Sequence, residues 1–314
     1  MKEATHLAKT VEAVGDGNAA YDSHAKNLLA DPQILSRILK YTLEEFRDVS
    51  LKEIANCICS DIVVEKQYVD AGLSNLQKVQ GTVTEDNIQN EGKIFYDIRF
   101  SVRIKNTDIK ILVNVEAQKN ITPSSLGYHI GNRIIFYLAR MISAEKETEF
   151  INSDYDNLKK AVSIWICLSD EIEDGSIEKM EMQSTVLYGK ETGMLSVDLM
   201  EGYLIRLRVK ENVKESKHEL IAMLEDLLNQ DSFEEKKRKL VEKHHLIMDV
   251  ELEGRISSMC NLSERIEENA ILTTKEQIAI EMIRANEPDE KIHNFTKLSL
   301  AKIAELREKE MCLA

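Results

Sequence analysis

Two runs of alternating residues lie next to each other in the first half of the chain. In KIFYDIRFSVRI, residues 93–104, the apolar side chains Ile94, Tyr96, Ile98, Phe100, Val102 and Ile104 take every second position. In IKILVNVEAQ, residues 109–118, Ile109, Ile111, Val113, Val115 and Ala117 do the same. Strand side chains point alternately to the two faces of a sheet, so each run predicts a strand with one apolar face. The polar KNTD between them contains Asn106 and Asp108, which suit a turn. Together the runs predict a β-hairpin.

What flanks the hairpin has a different period. Residues 1–20 read as a loose lead-in. Residues 24–57 read as helix, with Leu28, Leu29, Ile34, Leu35, Ile38, Leu39 and Leu43 at helical spacing. Asp31-Pro32 marks a restart, an N-cap followed by proline in the first helical position, and a second short helix is predicted over 50–59. Asp61 to Val69 reads as a strand, and residues 70–92, with Gly72, Gly81 and Gly92, as a connection. Beyond the hairpin, Ile130, Ile134, Ile135, Leu138 and Ile142 stripe a predicted helix over 124–147. AVSIWICLS, residues 161–169, is short and apolar throughout and predicts a fully buried strand. Residues 182–188 and 202–209 are further strand candidates. After about residue 212 only amphipathic, charged helical segments follow. The organisation read from this is an α/β domain over 1–212, with a mixed central sheet flanked by helices, and a helical C-terminal region over 213–314.

Composition narrows the function classes. The 314 residues include only 3 prolines and 12 glycines, which favours a helix-rich globular chain without long linkers. The net charge of −14 runs against a protein that coats nucleic acid, since phosphate binding wants clustered Lys and Arg. It still allows a local basic surface around a metal-dependent site. The 5 cysteines, Cys57, Cys59, Cys167, Cys260 and Cys312, form no CxxC pair and predict neither a disulfide framework nor a zinc site. No signal-peptide core opens the chain and no apolar run is long enough to span a bilayer, so a cytoplasmic location and no membrane association are expected. There is no GxxxxGK[ST], G-x-S-x-G or GxGxxG motif to support nucleotide hydrolysis, α/β-hydrolase chemistry or dinucleotide binding.

The polar face of the hairpin is where chemistry is legible. Glu116 and Gln118 point the same way on the second strand, with Lys110, Leu112 and Asn114. On the first strand Asp97 lies opposite Tyr96 and Ile98, with Arg99 and Arg103. In register, Asp97 and Glu116 share a face. Two carboxylates on neighbouring strands suit Mg²⁺, which takes one or two carboxylates plus waters and a substrate phosphate. Such an ion stabilises phosphate charge and lowers the pKa of an attacking water. The same pattern is also that of the ordinary solvated side of a sheet.

GKIFYDIRFSVRI, ILVNVEAQ, GYHIGNRIIFYLARMISAE and DYDNLKKAVSIWICLSDE, in that order and spacing, resemble the PD-(D/E)XK nuclease family transposases, relatives of the recombination-promoting nucleases. The resemblance covers about residues 60–210. It rests on the Asp97-Ile98 step, the Glu116-x-Gln118 motif in place of the wider superfamily's ExK, the Arg133-x-x-x-Tyr137 pattern on the next helix, and the buried strand after it. Asp22 and Lys26 resemble the family's N-terminal D-x-x-x-K element. The resemblance implies a restriction-endonuclease-like core and a Mg²⁺- or Mn²⁺-dependent DNA endonuclease associated with a mobile element or recombination. It implies that Asp97 and Glu116 hold the metal with the backbone carbonyl of Val115, and that Gln118 stands where a lysine usually stands. Glutamine supplies dipoles and no charge. Lys119 faces the other way in a regular strand, and Arg133 is the candidate to supply the missing cation. The alternative is a catalytically decayed nuclease fold that acts as an interaction or DNA-binding module.

Other polar features have plainer readings. Lys243-His244-His245 invites a metal, but adjacent helical residues diverge by about 100°, and a solvated helix face is the expectation. Glu44, Glu45 and Asp48 read as a charged helix face, with an extra acidic ligand as the alternative. Residues 278–308 suit either a helix-turn-helix or a helical hairpin for homo-oligomer assembly.

Overall fold

A computed structural model describes residues 23–59, 62–64, 85–88, 92–95, 97–105, 107, 109–118, 121–169, 172, 174–190, 192–195, 198–208, 215–229 and 231–313. The expected lead-in over 1–20, most of the strand expected over 61–69 and most of the connection expected over 70–92 lie outside them, as do Asp22, Tyr96, Asn106, Asp108 and Lys119. The chain forms two compact units, one of Ser23–Ile256 and one containing Ser257–Ala314.

The Ser23–Ile256 unit is α/β. It opens with helix α1 (residues 23–29) and α2 (Pro32–Thr42). The break between them is the one expected at Asp31-Pro32. Asp31 caps α2 by accepting from Gln33 N at 2.8 Å, and the proline that follows needs no donor. Helix α3 (Leu51–Cys57) starts in a capping box of Ser50 and Glu53. The strands then follow: β1 (Val63–Val64), β2 (Glu85–Ile88), β3 (Gly92–Phe95), β4 (Ile98–Arg103) and β5 (Lys110–Gln118). Strand β4 pairs antiparallel with β5, with Ile98 opposite Val115 and Arg103 opposite Lys110. The hairpin is therefore present, closed by Ile104 N donating to Ile109 O at 3.1 Å.

The first arm of the hairpin differs from expectation in one respect. Residues 93–104 are not one strand. Strand β3 pairs with β2 in a separate two-stranded sheet, and the chain bends at Asp97 before β4 begins. The ladder between β4 and β5 starts at Ile98, opposite Val115, and β5 continues past it to Gln118.

Short helix α4 (Pro123–Leu126) and helix α5 (Ile130–Ser143) follow. The single helix expected over 124–147 is broken by Gly127, which takes a left-handed conformation at φ 77° and caps α4. This crossover returns the chain to β6 (Lys160–Ser169), which runs parallel to β5 as such a connection requires. Next come β7 (Ser176–Glu181) and β8 (Met200–Arg208), with β8 parallel to β6 and β7 antiparallel at the far edge. The result is a mixed open sheet in the order β4-β5-β6-β8-β7, to which the two-residue β1 adds beside β4. The strand expected over 182–188 is instead an exposed loop, and the edge strand lies just before it. Its sequence SIEKME carries polar residues because an edge strand keeps a face in water.

Both faces of the sheet are covered. Helix α5 lies over one, where Leu112, Ile134, Tyr137, Leu138, Met141, Ala161, Trp165 and Cys167 form a cluster. Gly202 on β8 permits the close approach, since a Cβ there would stand 2.6 Å from Ile134 Cγ2. The side of β5 expected to be polar and half-solvated is thus interior: Asn114 and Glu116 are both buried. Helix α6 (Glu219–Leu228) packs on β8, and α7 (Phe233–Glu242) follows it. The helical run expected through Lys243-His244-His245 stops there. His245 is left-handed at φ 53°, and His244 is not a solvated face residue but is buried with Nε2 2.7 Å from Asp226 Oδ2.

Helix α8 (Val250–Arg284) carries the chain into the second unit. There α9 (Asp289–Thr296) and α10 (Leu300–Leu313) pack with the end of α8 around Ala279, Ile283, Ile292, Leu298, Ile303 and Leu306. As expected after residue 212, every further element among the described residues is helical. Among the described residues no helix is long and apolar enough to cross a membrane. The described cysteines Cys57, Cys59, Cys167 and Cys260 are free thiols.

Candidate functional site

The bend at Asp97 and the end of β5 make one small polar centre. Asp97 N donates to Glu116 Oε1 at 3.0 Å, and Ala117 N donates to Asp97 Oδ2 at 3.0 Å. These reciprocal bonds do the work of a ladder pair that the bend removes, and they fix both carboxylates against the backbone. Asp97 Oδ1 faces the ammonium of Lys26 on α1, 2.9 Å away, and both side chains are largely buried. Lys26 was identifiable in sequence only as part of the N-terminal D-x-x-x-K element, because nothing in local pattern ties a helix to a strand seventy residues on.

Glu116 is only 3% exposed. Burial pushes its carboxyl well above the usual range, and the Asp97 charge beside it pushes the same way, against the bond from Asp97 N and help from Asn114 and Arg133. The neighbouring Tyr137 phenol is also raised, first by its own burial and then by the Glu116 charge.

Gln118 ends β5 beside Arg133 of α5. Arg133 donates to Gln118 Oε1 at 3.4 Å, to Tyr128 Oη at 2.9 Å and to Tyr137 Oη at 3.0 Å. Its guanidinium also lies over the rings of Trp165 and Tyr137, 5.0 and 5.2 Å from their centroids. Trp165 is itself fixed by donation from Nε1 to Ser163 Oγ at 2.9 Å. A lysine at 118 would place a second cation against this guanidinium, whereas the glutamine oxygen accepts from it. That accounts physically for glutamine at this position.

The structure therefore brings together Asp97, Glu116, Gln118 and Arg133. Val115 is different. Ala117 turns its N–H toward the Asp97 edge, so its carbonyl faces the same edge; Val115, two residues earlier, faces it too but is opposite Ile98 and committed to the ladder. The carbonyl beyond the last β4 pair is that of Ala117, while Val115 lies within the ladder opposite Ile98. Glu45 is also elsewhere: it pairs with Lys160 at the opposite end of β6, at 2.8 Å, in a cluster with Asp198 and Glu201. Glu44 and Glu45 lie in a single 3-10 turn, not on a helix face.

The residues here that could hold a divalent ion are Asp97, whose Oδ1 already faces the Lys26 ammonium, and Glu116. Two carboxylates held beside each other, one of them buried and reluctant to ionise, are what a bound cation would relieve, and Mg²⁺ uses few protein ligands. Among the described residues no group of three or more His, Cys, Asp or Glu is arranged to hold a metal, so the centre does not form a closed, all-protein cage. Comparison of the chain with protein-family models, with curated proteins and with solved structures finds no match.

Proposed function

We propose that this chain is a metal-dependent DNA endonuclease with a restriction-endonuclease-like core, of the PD-(D/E)XK kind found in transposase-associated and recombination-promoting nucleases. The observation that carries the reading is the pair of reciprocal bonds that holds Asp97 and Glu116 together at the bend after β3. Asp97, Glu116 and the Ala117 carbonyl would hold Mg²⁺ or Mn²⁺. Such an ion supplies a lowered pKa to an attacking water and positive charge to the phosphate. Gln118, its oxygen engaged by Arg133, leaves its amide N–H groups to orient a water or a phosphate oxygen. Arg133, held by two phenols and two aromatic faces, supplies a fixed positive charge close to that position. The reading includes a cytoplasmic protein acting on DNA and homo-oligomer assembly through the C-terminal helices.

A second reading is a decayed nuclease fold that binds a partner or DNA without cleaving it. The neutral Gln118 and the Lys26 ammonium on Asp97 favour it. Plasmid nicking in Mg²⁺ or Mn²⁺ separates the two. The nuclease reading expects nicking by the wild-type chain and none by D97A or E116A. Cleavage that survives both substitutions, or no Mn²⁺ binding at millimolar concentration, rejects it.

A further inference from the structure

Among the described residues, Arg133 and Lys26 approach this centre from different elements and in different ways. Arg133 comes from α5 and is consumed by fixed partners: two phenol oxygens, the Gln118 oxygen and two ring faces. Lys26 comes from α1 and touches a carboxylate of the site directly. Its partner Asp97 is held on its other oxygen by Ala117 N. Between them, Lys26 and the Ala117 amide fix both oxygens of Asp97, and so fix its rotamer at a bend where the ladder no longer does. The Lys26 side chain is 6% exposed, so its charge is little screened by water.

We propose that Lys26 is the positioning cation of this centre, contributed by the first helix in place of the charge that Gln118 lacks. This rests on the nuclease reading above. Lys26 orients Asp97 and at the same time opposes a second positive charge on it. An ammonium on a flexible stem can turn from the carboxylate to a nearby phosphate oxygen, which the bridged guanidinium of Arg133 cannot do.

Orientation and opposition make a prediction that a purely structural lysine does not. Removing the ammonium should tighten divalent-ion binding while weakening catalysis. The test is calorimetry with Mn²⁺ on the full chain, together with plasmid nicking, for wild type, K26M, K26Q and K26R. K26M keeps the apolar stem; K26Q keeps a polar donor for Asp97 Oδ1 and serves if K26M does not fold. Both neutral variants are expected to bind Mn²⁺ about tenfold more tightly, the scale of losing one close like charge, and to nick at least about tenfold more slowly. K26R is expected to stay within about threefold of wild type in Mn²⁺ affinity and to retain nicking. Unchanged or weaker Mn²⁺ binding by the neutral variants, or nicking at the wild-type rate, overturns the assignment of Lys26. A wild-type chain that binds no Mn²⁺ overturns the nuclease reading itself, so the two failures are told apart by the wild-type isotherm.

Discussion

Replacing Glu116 with glutamine should stabilise the metal-free protein, and by an amount that depends on pH. Glu116 is buried beside Asp97, and its carboxyl holds a proton well above its ordinary value of 4.5. The folded chain binds this proton more tightly than the unfolded chain. Its contribution is therefore complete below about pH 4.5 and is lost as pH rises toward the raised folded value. Holding a proton at pH 7 on a group whose ordinary value is 4.5 costs about 3 kcal/mol, at about 1.4 kcal/mol per pH unit. The glutamine of E116Q is neutral at every pH and can still accept from Asp97 N. E116Q should match wild type near pH 4.5 and exceed it by up to about 3 kcal/mol at pH 7. Denaturant unfolding in a chelating buffer at several pH values measures this. The gain should shrink in a D97N background, because the neighbouring charge helps to raise Glu116. A gain equal at pH 5 and pH 7, or a loss at pH 7, would refute the reasoning.

Arg133 is held by geometry as much as by charge. R133K retains the charge but cannot bridge Gln118, Tyr128 and Tyr137 together, so nicking should fall at least about tenfold with Mn²⁺ affinity within about twofold of wild type; nicking kinetics and calorimetry check the split. At the other end of the sheet, K160M takes the ammonium from Glu45, 2.8 Å away, and leaves the buried Glu201 with Lys179 at 2.7 Å and the Tyr203 phenol. Chemical denaturation should show a loss of about 3 kcal/mol, while Mn²⁺ affinity stays unchanged because Lys160 begins β6 and the Asp97 centre lies at the far end of β5.

The hairpin was legible because strict alternation assigns the two faces of each run, placing Phe100 with Ile98 and Val102 and Arg99 on the other side. The parallel strand β6 was legible from AVSIWICLS, whose apolar run fits a strand covered on both sides. The site was legible as a pair of residues, and its environment was not. Alternation said that Glu116 shares a face with Asn114; only the packing of α5 shows that this face is interior, which raises Glu116 and joins Arg133 to Gln118. Asp97 looked like one more position in a continuous strand. The bend there depends on β3 leaving for another sheet, and β3 itself continues the same alternating pattern. The edge strand was misplaced for a related reason. Its polar SIEKME lacks the apolar signal, while the apolar Val186, Leu187 and Tyr188 just after it are exposed in a loop. Lys26 depends on a contact between distant segments, which period and propensity do not encode.

The central claim is that Asp97 and Glu116 jointly hold a divalent ion. Anomalous diffraction from a crystal of the full chain soaked in Mn²⁺ tests it most directly. The account predicts one strong peak about 2.0–2.2 Å from an oxygen of each carboxylate and near the Ala117 carbonyl. A fully exchanged soak with no peak between these carboxylates, or with manganese bound only elsewhere, would contradict it.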